Sequence, residues 1–174
     1  MKKPGWILLA LAASPAWAGY QYYVNDPLQS INAAAWSSTG QLSPGTAGLG
    51  ASASNGGSLI SHVPIPGGGS DAEVAITISL NASGGVYTAF LQASPDARTG
   101  SSGSGSYLAF EMQNPQFDAE NKICSANFVL LQSVAGKVSV LAAFSHSCRN
   151  GMRMRMAVHS GVVTASMLSP PPPQ

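Results

Sequence analysis

Residues 72–80 read Ala-Glu-Val-Ala-Ile-Thr-Ile-Ser-Leu, and this stretch decides the fold class of the chain. The larger apolar side chains, Val74, Ile76, Ile78 and Leu80, fall at every second position. Successive side chains of a β-strand point to opposite faces, so this period of two predicts a strand with one buried face.

The same alternation recurs further along the chain. It is seen in residues 107–113, where Leu, Phe and Met alternate with Tyr, Ala, Glu and Gln, and in residues 152–159, where three Met and a Val alternate with more polar residues. Clusters of Gly, Ser, Asn and Pro separate these runs, as turns separate short strands. We also expect residues 72–80 and 86–93 to form an antiparallel hairpin across the turn at 81–85. The pattern predicts an all-β protein, an antiparallel β-sandwich.

Composition excludes several functional classes. The chain has 174 residues, with 8 Lys and Arg against 7 Asp and Glu, and only 9% are charged, compared with about 25% in average soluble domains. So few cations cannot form the basic stripe that neutralises nucleic-acid phosphates. Helical bundles and coiled coils, which need charged outer faces, are disfavoured as well. With 45% hydrophobic residues, one domain with its own core is expected.

The N-terminus has the order of a secretory signal peptide. Lys2 and Lys3 precede an apolar run, and Ala16-Trp17-Ala18 offers small residues at a cleavage site. The alternative, a membrane anchor, would need about 20 apolar residues, and the run here is shorter and contains Pro15. We therefore predict a signal peptide over 1–18, cleaved near Ala18, with no membrane span after its removal.

The remaining chain divides into a β-sandwich domain over 19–168 and a proline-rich tail over 169–174. We expect the protein to be secreted, periplasmic or at the cell surface. In such an oxidising compartment a lone pair of cysteines favours a disulfide. Cys124 and Cys148 are therefore predicted to be bonded, with two buried free thiols as the alternative.

The motifs of common enzyme classes are not found in the sequence. It contains no Gly-x-Ser-x-Gly elbow, HExxH motif or P-loop, and its three histidines are far apart along the chain. We therefore expect no catalytic site, no metal and no cofactor. Calcium would require several clustered oxygen ligands, and the acids that could supply them if the fold gathers them are Asp71, Glu73, Asp118 and Glu120. Residues 81–83 form an N-glycosylation sequon, Asn-Ala-Ser.

One set of side chains is a candidate binding surface. Arg153 and Arg155 lie opposite the methionines of their strand, and Tyr107, Glu111 and Gln113 lie opposite a Leu/Phe/Met row. If these faces belong to one sheet, they form a polar surface that suits sugar hydroxyls or a partner protein. The alternative is an ordinary solvent-facing side with an Arg–Glu cross-strand pair.

The order of these segments resembles the bacterial concanavalin A-like, or laminin-G-like, jelly-roll modules. The resemblance covers most of residues 24–160. It is carried by loose strand and turn patterns at 58–61, 73–80, 84–97, 107–111, 124–126, 136–138 and 148–155.

The resemblance implies two curved antiparallel sheets and a module that often binds carbohydrate or mediates adhesion, and is sometimes a glycosidase. The Glu-x-Asp-x-x-Glu strand of the catalytic laminarinase-like members is absent, and Glu111-Met112-Gln113 does not supply it. Such modules also commonly carry further strands after the one near Met152, so the chain is expected to be a truncated or divergent copy.

These observations favour a non-catalytic module that binds a glycan or another extracellular partner. A structural or adhesive surface module without a small-molecule ligand is the main alternative. A divergent glycoside hydrolase is the third.

Overall fold

The computed structural model describes residues 26–46, 48–51, 56–65, 71–80, 84–94, 104–118, 120 and 123–168. The predicted signal peptide at 1–18, the proline-rich tail at 169–174 and the sequon at 81–83 lie outside the described residues.

Every regular element among the described residues is a β-strand, which confirms the all-β prediction. The strands are β1 (Trp36–Gly40), β2 (Leu42–Gly45), β3 (Gly48–Ala51), β4 (Gly57–Ser61), β5 (Asp71–Ile78), β6 (Val86–Gln92), β7 (Tyr107–Asp118), β8 (Ile123–Val134), β9 (Lys137–Arg149), β10 (Met152–His159) and β11 (Val162–Leu168). No helix of the described part is both long and apolar enough to cross a membrane.

All strand pairs in the described residues are antiparallel, and they form four sheets. The largest has the order β6-β7-β8-β9, and a second has the order β11-β10-β5. Two short ribbons, β1-β4 and β2-β3, precede them in the chain. The four-stranded and three-stranded sheets hold the candidate binding residues.

The two larger sheets share one hydrophobic core. Phe110, Met112 and Phe128 of the four-stranded sheet are buried in the same cluster as Met154 and Met156 of β10. Along β10 the methionines are buried while Arg153 between them is exposed, as the period of two predicts. We call the side of each sheet that faces this cluster its inner face and the other side its outer face.

The expected hairpin between residues 72–80 and 86–93 is wrong. β5 pairs with β10, in a register that places Ile76 beside Met154, whereas β6 pairs with β7. The connection between β5 and β6 therefore leads from one sheet to the other. The pairing of β5 with a strand more than 70 residues later buries both apolar rows in the shared core, which a local hairpin would not achieve.

The disulfide prediction is confirmed. Cys124 on β8 and Cys148 on β9 are direct cross-strand partners with a Cα–Cα distance of 4.8 Å, and they are bonded to each other. Both are buried and belong to the core cluster. The bond therefore ties β9 to β8 near the end where the chain passes to β10.

Two hairpins close through two-residue turns. Ala135 and Gly136 join β8 to β9, and Ser160 and Gly161 join β10 to β11; all four residues have positive φ angles. This is the type I′ geometry that matches the twist of antiparallel strands, and it explains a glycine at the second turn position.

Candidate functional site

The outer face of the three-stranded sheet carries a row of charged side chains. Arg153 and Arg155 stand on the central strand β10, opposite its buried methionines. Asp71 and Glu73 stand on the same face of the neighbouring strand β5, because the register pairs Asp71 with His159 and Glu73 with Ala157. Two cations and two anions therefore share one face of this rigid sheet.

Close polar contacts hold most of these charges in place. A guanidinium nitrogen of Arg155 donates to Glu73 Oε2 at 2.7 Å, and the side chains are 33% and 22% exposed. His159 Nδ1 lies 2.5 Å from Asp71 Oδ1 at the end of the same face. Both contacts are near the surface, where such pairs contribute about 0–1 kcal/mol each. Their main effect is to fix the orientation of the groups.

Arg153 differs from its neighbour. It is exposed, and among the described residues it has no ion-pair partner. Its cross-strand neighbours on the same face are Thr77 of β5 and Leu168 of β11. Its guanidinium is therefore available to an external acceptor such as a hydroxyl or a carboxylate, and its planar group of donors suits bidentate contacts.

The other three predicted binding residues lie in a different environment. Tyr107 and Glu111 on β7 are only 7% and 6% exposed, and Gln113 is half-buried. Gln113 Nε2 donates to Glu111 Oε2 at 2.7 Å, which partly compensates the cost of burying a carboxylate. Neither Tyr107 nor Glu111 is therefore open to a ligand.

The two sets of predicted residues do not share a sheet. β7 belongs to the four-stranded sheet and β10 to the three-stranded sheet, so each set lies on the outer face of its own sheet. The arginine of β10 that forms an Arg–Glu pair is Arg155, and its partner is Glu73 of β5. A single polar surface made of all five residues is therefore ruled out by the topology.

Two histidines that stand alone in the sequence have side-chain partners in the structure. His159 contacts Asp71, as described above. His62 Nε2 lies 2.6 Å from Ser37 Oγ, and its Nδ1 lies 3.2 Å from the carbonyl oxygen of Ala34. A serine beside an imidazole is one element of acyl-transfer sites, but this pair is exposed on the small β1-β4 ribbon and a hydrogen bond across that ribbon explains it.

The acids considered for calcium are not gathered by the fold. Within the described ranges no three His, Cys, Asp or Glu side chains come close enough to hold a metal ion. Asp71 and Glu73 bind His159 and Arg155, while Asp118 Oδ1 accepts a hydrogen bond from the backbone N–H of Glu120.

A cleft of about 330 Å³ opens where β9 passes to β10. Met152 and Met167 contribute apolar groups, and His146 and Arg149 contribute polar ones; Ser147 and the disulfide residue Cys148 complete the lining. The cleft therefore lies between the end of β9 and the end of β11, at the open side of the two sheets. The cleft could not be predicted from the sequence, because its residues come from three strands.

Glu73 and Asp71 were not predicted to be the partners of Arg155 and His159 on β10. A signal was present, since both segments carry charges at alternating positions and the two sets have opposite signs. Opposite charges at matching spacing favour the pairing of two strands.

Comparison with family models, with curated proteins and with solved structures finds no match to this chain. The function is therefore inferred from the geometry of the chain's own residues.

Proposed function

We propose that this protein is an exported, non-catalytic β-sandwich module that binds an extracellular glycan through the outer face of its three-stranded sheet. The resemblance to concanavalin A-like jelly-roll modules and the signal-like N-terminus support the proposal from the sequence. The observation that carries it is the fixed polar row on β10 and β5, in which Arg155 is held by Glu73 at 2.7 Å and Arg153 remains exposed beside it.

The chemistry of this face suits sugar hydroxyls. Its four permanently charged groups cancel, so binding would depend on directed hydrogen bonds more than on net attraction. Thr77, Ser166 and Thr164 add hydroxyl groups on the same face, since they are aligned with outward-facing positions of β10. Hydrogen bonds to charged groups are among the stronger ones in proteins, and the pre-oriented Arg155–Glu73 pair would lose little freedom on binding.

Arg153 is the residue that tests the proposal. We expect the Arg153→Ala variant to lose at least tenfold in capture on a glycan array, because it removes the exposed donor without disturbing an ion pair of the residues described. Lys137→Ala is the matched control, since it removes an exposed cation from the other sheet. Equal capture by the wild-type protein and the Arg153→Ala variant would contradict the proposal.

The same array separates the alternatives. A structural or adhesive module without a small-molecule ligand would show no capture by the wild-type protein. The third alternative, a divergent glycoside hydrolase, needs two carboxylates that flank the scissile bond. It predicts release of reducing sugar from a panel of polysaccharides, whereas the binding module predicts none.

A further inference from the structure

The strand β9 forms a long edge of the four-stranded sheet. It runs over 13 residues, Lys137–Arg149, and within the described part of the chain no strand pairs with its outer edge. At about 3.4 Å per residue it extends over roughly 40 Å. About half of its backbone N–H and C=O groups therefore point away from β8 and can pair with another chain.

The side chains of β9 are exposed on both faces of the sheet. Val140, on the outer face beside Leu131, is 61% exposed, and Leu141 and Val138 are exposed as well. Phe144 lies on the inner face, stacked on the buried Phe128 with ring centroids 5.6 Å apart, yet it is 42% exposed. This much exposed apolar surface on one strand is unusual for a monomeric domain.

The exposure of Phe144 has a topological cause. The three-stranded sheet ends at β11, so it has one strand fewer than the sheet it packs against. The cleft lined by Met152 and Met167 lies between β9 and β11. The core is thus open along the side where both sheets have a free edge.

The edge carries few features that would prevent pairing. Edge strands are usually protected by inward-pointing charges, proline or short length. In β9 the permanent charges stand only at the two ends, Lys137 and Arg149, and the strand contains neither proline nor an acid. The register shift at Leu141 is a bulge, which protects only the N-terminal part. Residues 142–148 remain an accessible template.

We propose that the outer edge of β9, from Ala142 to Cys148, accepts one extended segment of a partner protein by β-strand addition. The segment pairs with the β9 backbone and places apolar side chains of alternate residues against Phe144 and the cleft. Its end beside Arg149 carries an acidic residue, because Arg149 directly follows the paired segment and neither β9 nor β11 contains an acid.

A second copy of this chain fits the edge less well. Antiparallel pairing of two copies over residues 142–148 would place Arg149 of each copy beside Leu141 of the other, so neither arginine would gain an opposite charge. An apolar strand with an acidic residue beside Arg149 adds an attraction that a second copy lacks.

The test uses the full oxidised protein and a synthetic nine-residue peptide of alternating valine and threonine with a glutamate at each end. Consecutive residues of a strand direct their N–H groups to opposite edges. Of the variants Ala142→Pro and Ala143→Pro, one therefore removes a donor to β8 and the other removes a donor to the added strand. The variant that keeps the wild-type melting temperature identifies the outward donor.

We expect the peptide to slow amide exchange along β9, and the outward proline variant to weaken its binding at least tenfold. Phe144→Ala, which removes the 42% exposed ring that the added strand contacts, should weaken it about threefold and gives a second measurement if both proline variants unfold. The same peptide with lysine ends should bind more weakly than the one with glutamate ends.

Three results would overturn the proposal. The first is no binding at millimolar peptide, or binding that none of the folded variants changes. The second is slow exchange of the outward β9 amides in the free protein, which would show that another segment of its own chain covers the edge. The third is a concentration-dependent dimer that the outward proline variant abolishes, because the occupant would then be a second copy.

Discussion

The methionines of β10 should contribute strongly to stability, although the strand contains two arginines. Met154 is fully buried, at 0% exposure, and it belongs to the cluster that contains Phe110 and Phe128 from the other large sheet. Replacement by alanine would leave a gap between the two sheets. The change therefore tests whether they share one core.

The expected loss follows from the atoms removed. Met154→Ala deletes Cγ, Sδ and Cε, which at ~0.8 kcal/mol per buried methylene-sized group amounts to about 2.4 kcal/mol of lost transfer free energy. The cavity left behind adds to this, since the surrounding strands relax only in part, and Met→Ala changes in cores cost about 2–5 kcal/mol. We expect a decrease in the free energy of unfolding of about 3 kcal/mol. For a chain of this size that corresponds to a melting temperature lower by roughly 6–12 °C.

The assay is urea unfolding of the oxidised protein, followed by far-ultraviolet circular dichroism. Arg153→Ala is the matched control, because it changes the neighbouring residue on the opposite, exposed face and should alter stability by less than about 0.5 kcal/mol. A loss below about 1 kcal/mol for Met154→Ala, or equal losses for the two variants, would refute the shared core. Equal losses would also refute the assignment of the arginines to the outer face.

Two further changes test the disulfide and the turns. Replacing both Cys124 and Cys148 by alanine should lower the free energy of unfolding by about 3 kcal/mol, since the bond closes a loop of about 25 residues; equal urea midpoints for this variant and the oxidised wild-type protein would contradict this. Both Gly136 and Gly161 have φ near +80°, where an alanine costs about 1–2 kcal/mol. Gly136→Ala should destabilise the protein more than Gly161→Ala, because only at Gly136 would the new Cβ also lie 2.9 Å from the carbonyl oxygen of Ser104. Thermal melts of the two variants measure the difference, and equal melting temperatures would show that the contact with Ser104 has no effect.

Local patterns in the sequence predicted the strands well. The alternation in residues 72–80 and 152–159 identified β5 and β10 and separated their buried residues from their exposed ones, because the side-chain direction in a strand depends only on local geometry. The disulfide was predictable for a different reason, since two cysteines in the whole chain leave a single intramolecular pairing.

The candidate site was predicted only in part. Arg153 and Arg155 were correctly assigned to a face opposite the methionines. Tyr107 and Glu111 follow the same pattern on β7, but they are buried, because period two separates the two faces of a strand without indicating what covers either one. The partner of Arg155 could not be read from its own strand, since Glu73 lies 82 residues away in the chain.

The sequence by itself predicted that this protein is built of antiparallel strands, favoured a bond between its cysteines and indicated which residues of β10 face inward. These features depend on short-range periodicity or on composition. Only the tertiary structure decided that β5 pairs with β10 and not with β6, that the two groups of polar residues lie on different sheets and that β9 is an open edge. Strand order is set by long-range burial of apolar faces, and the free energy of that burial depends on which distant segments meet.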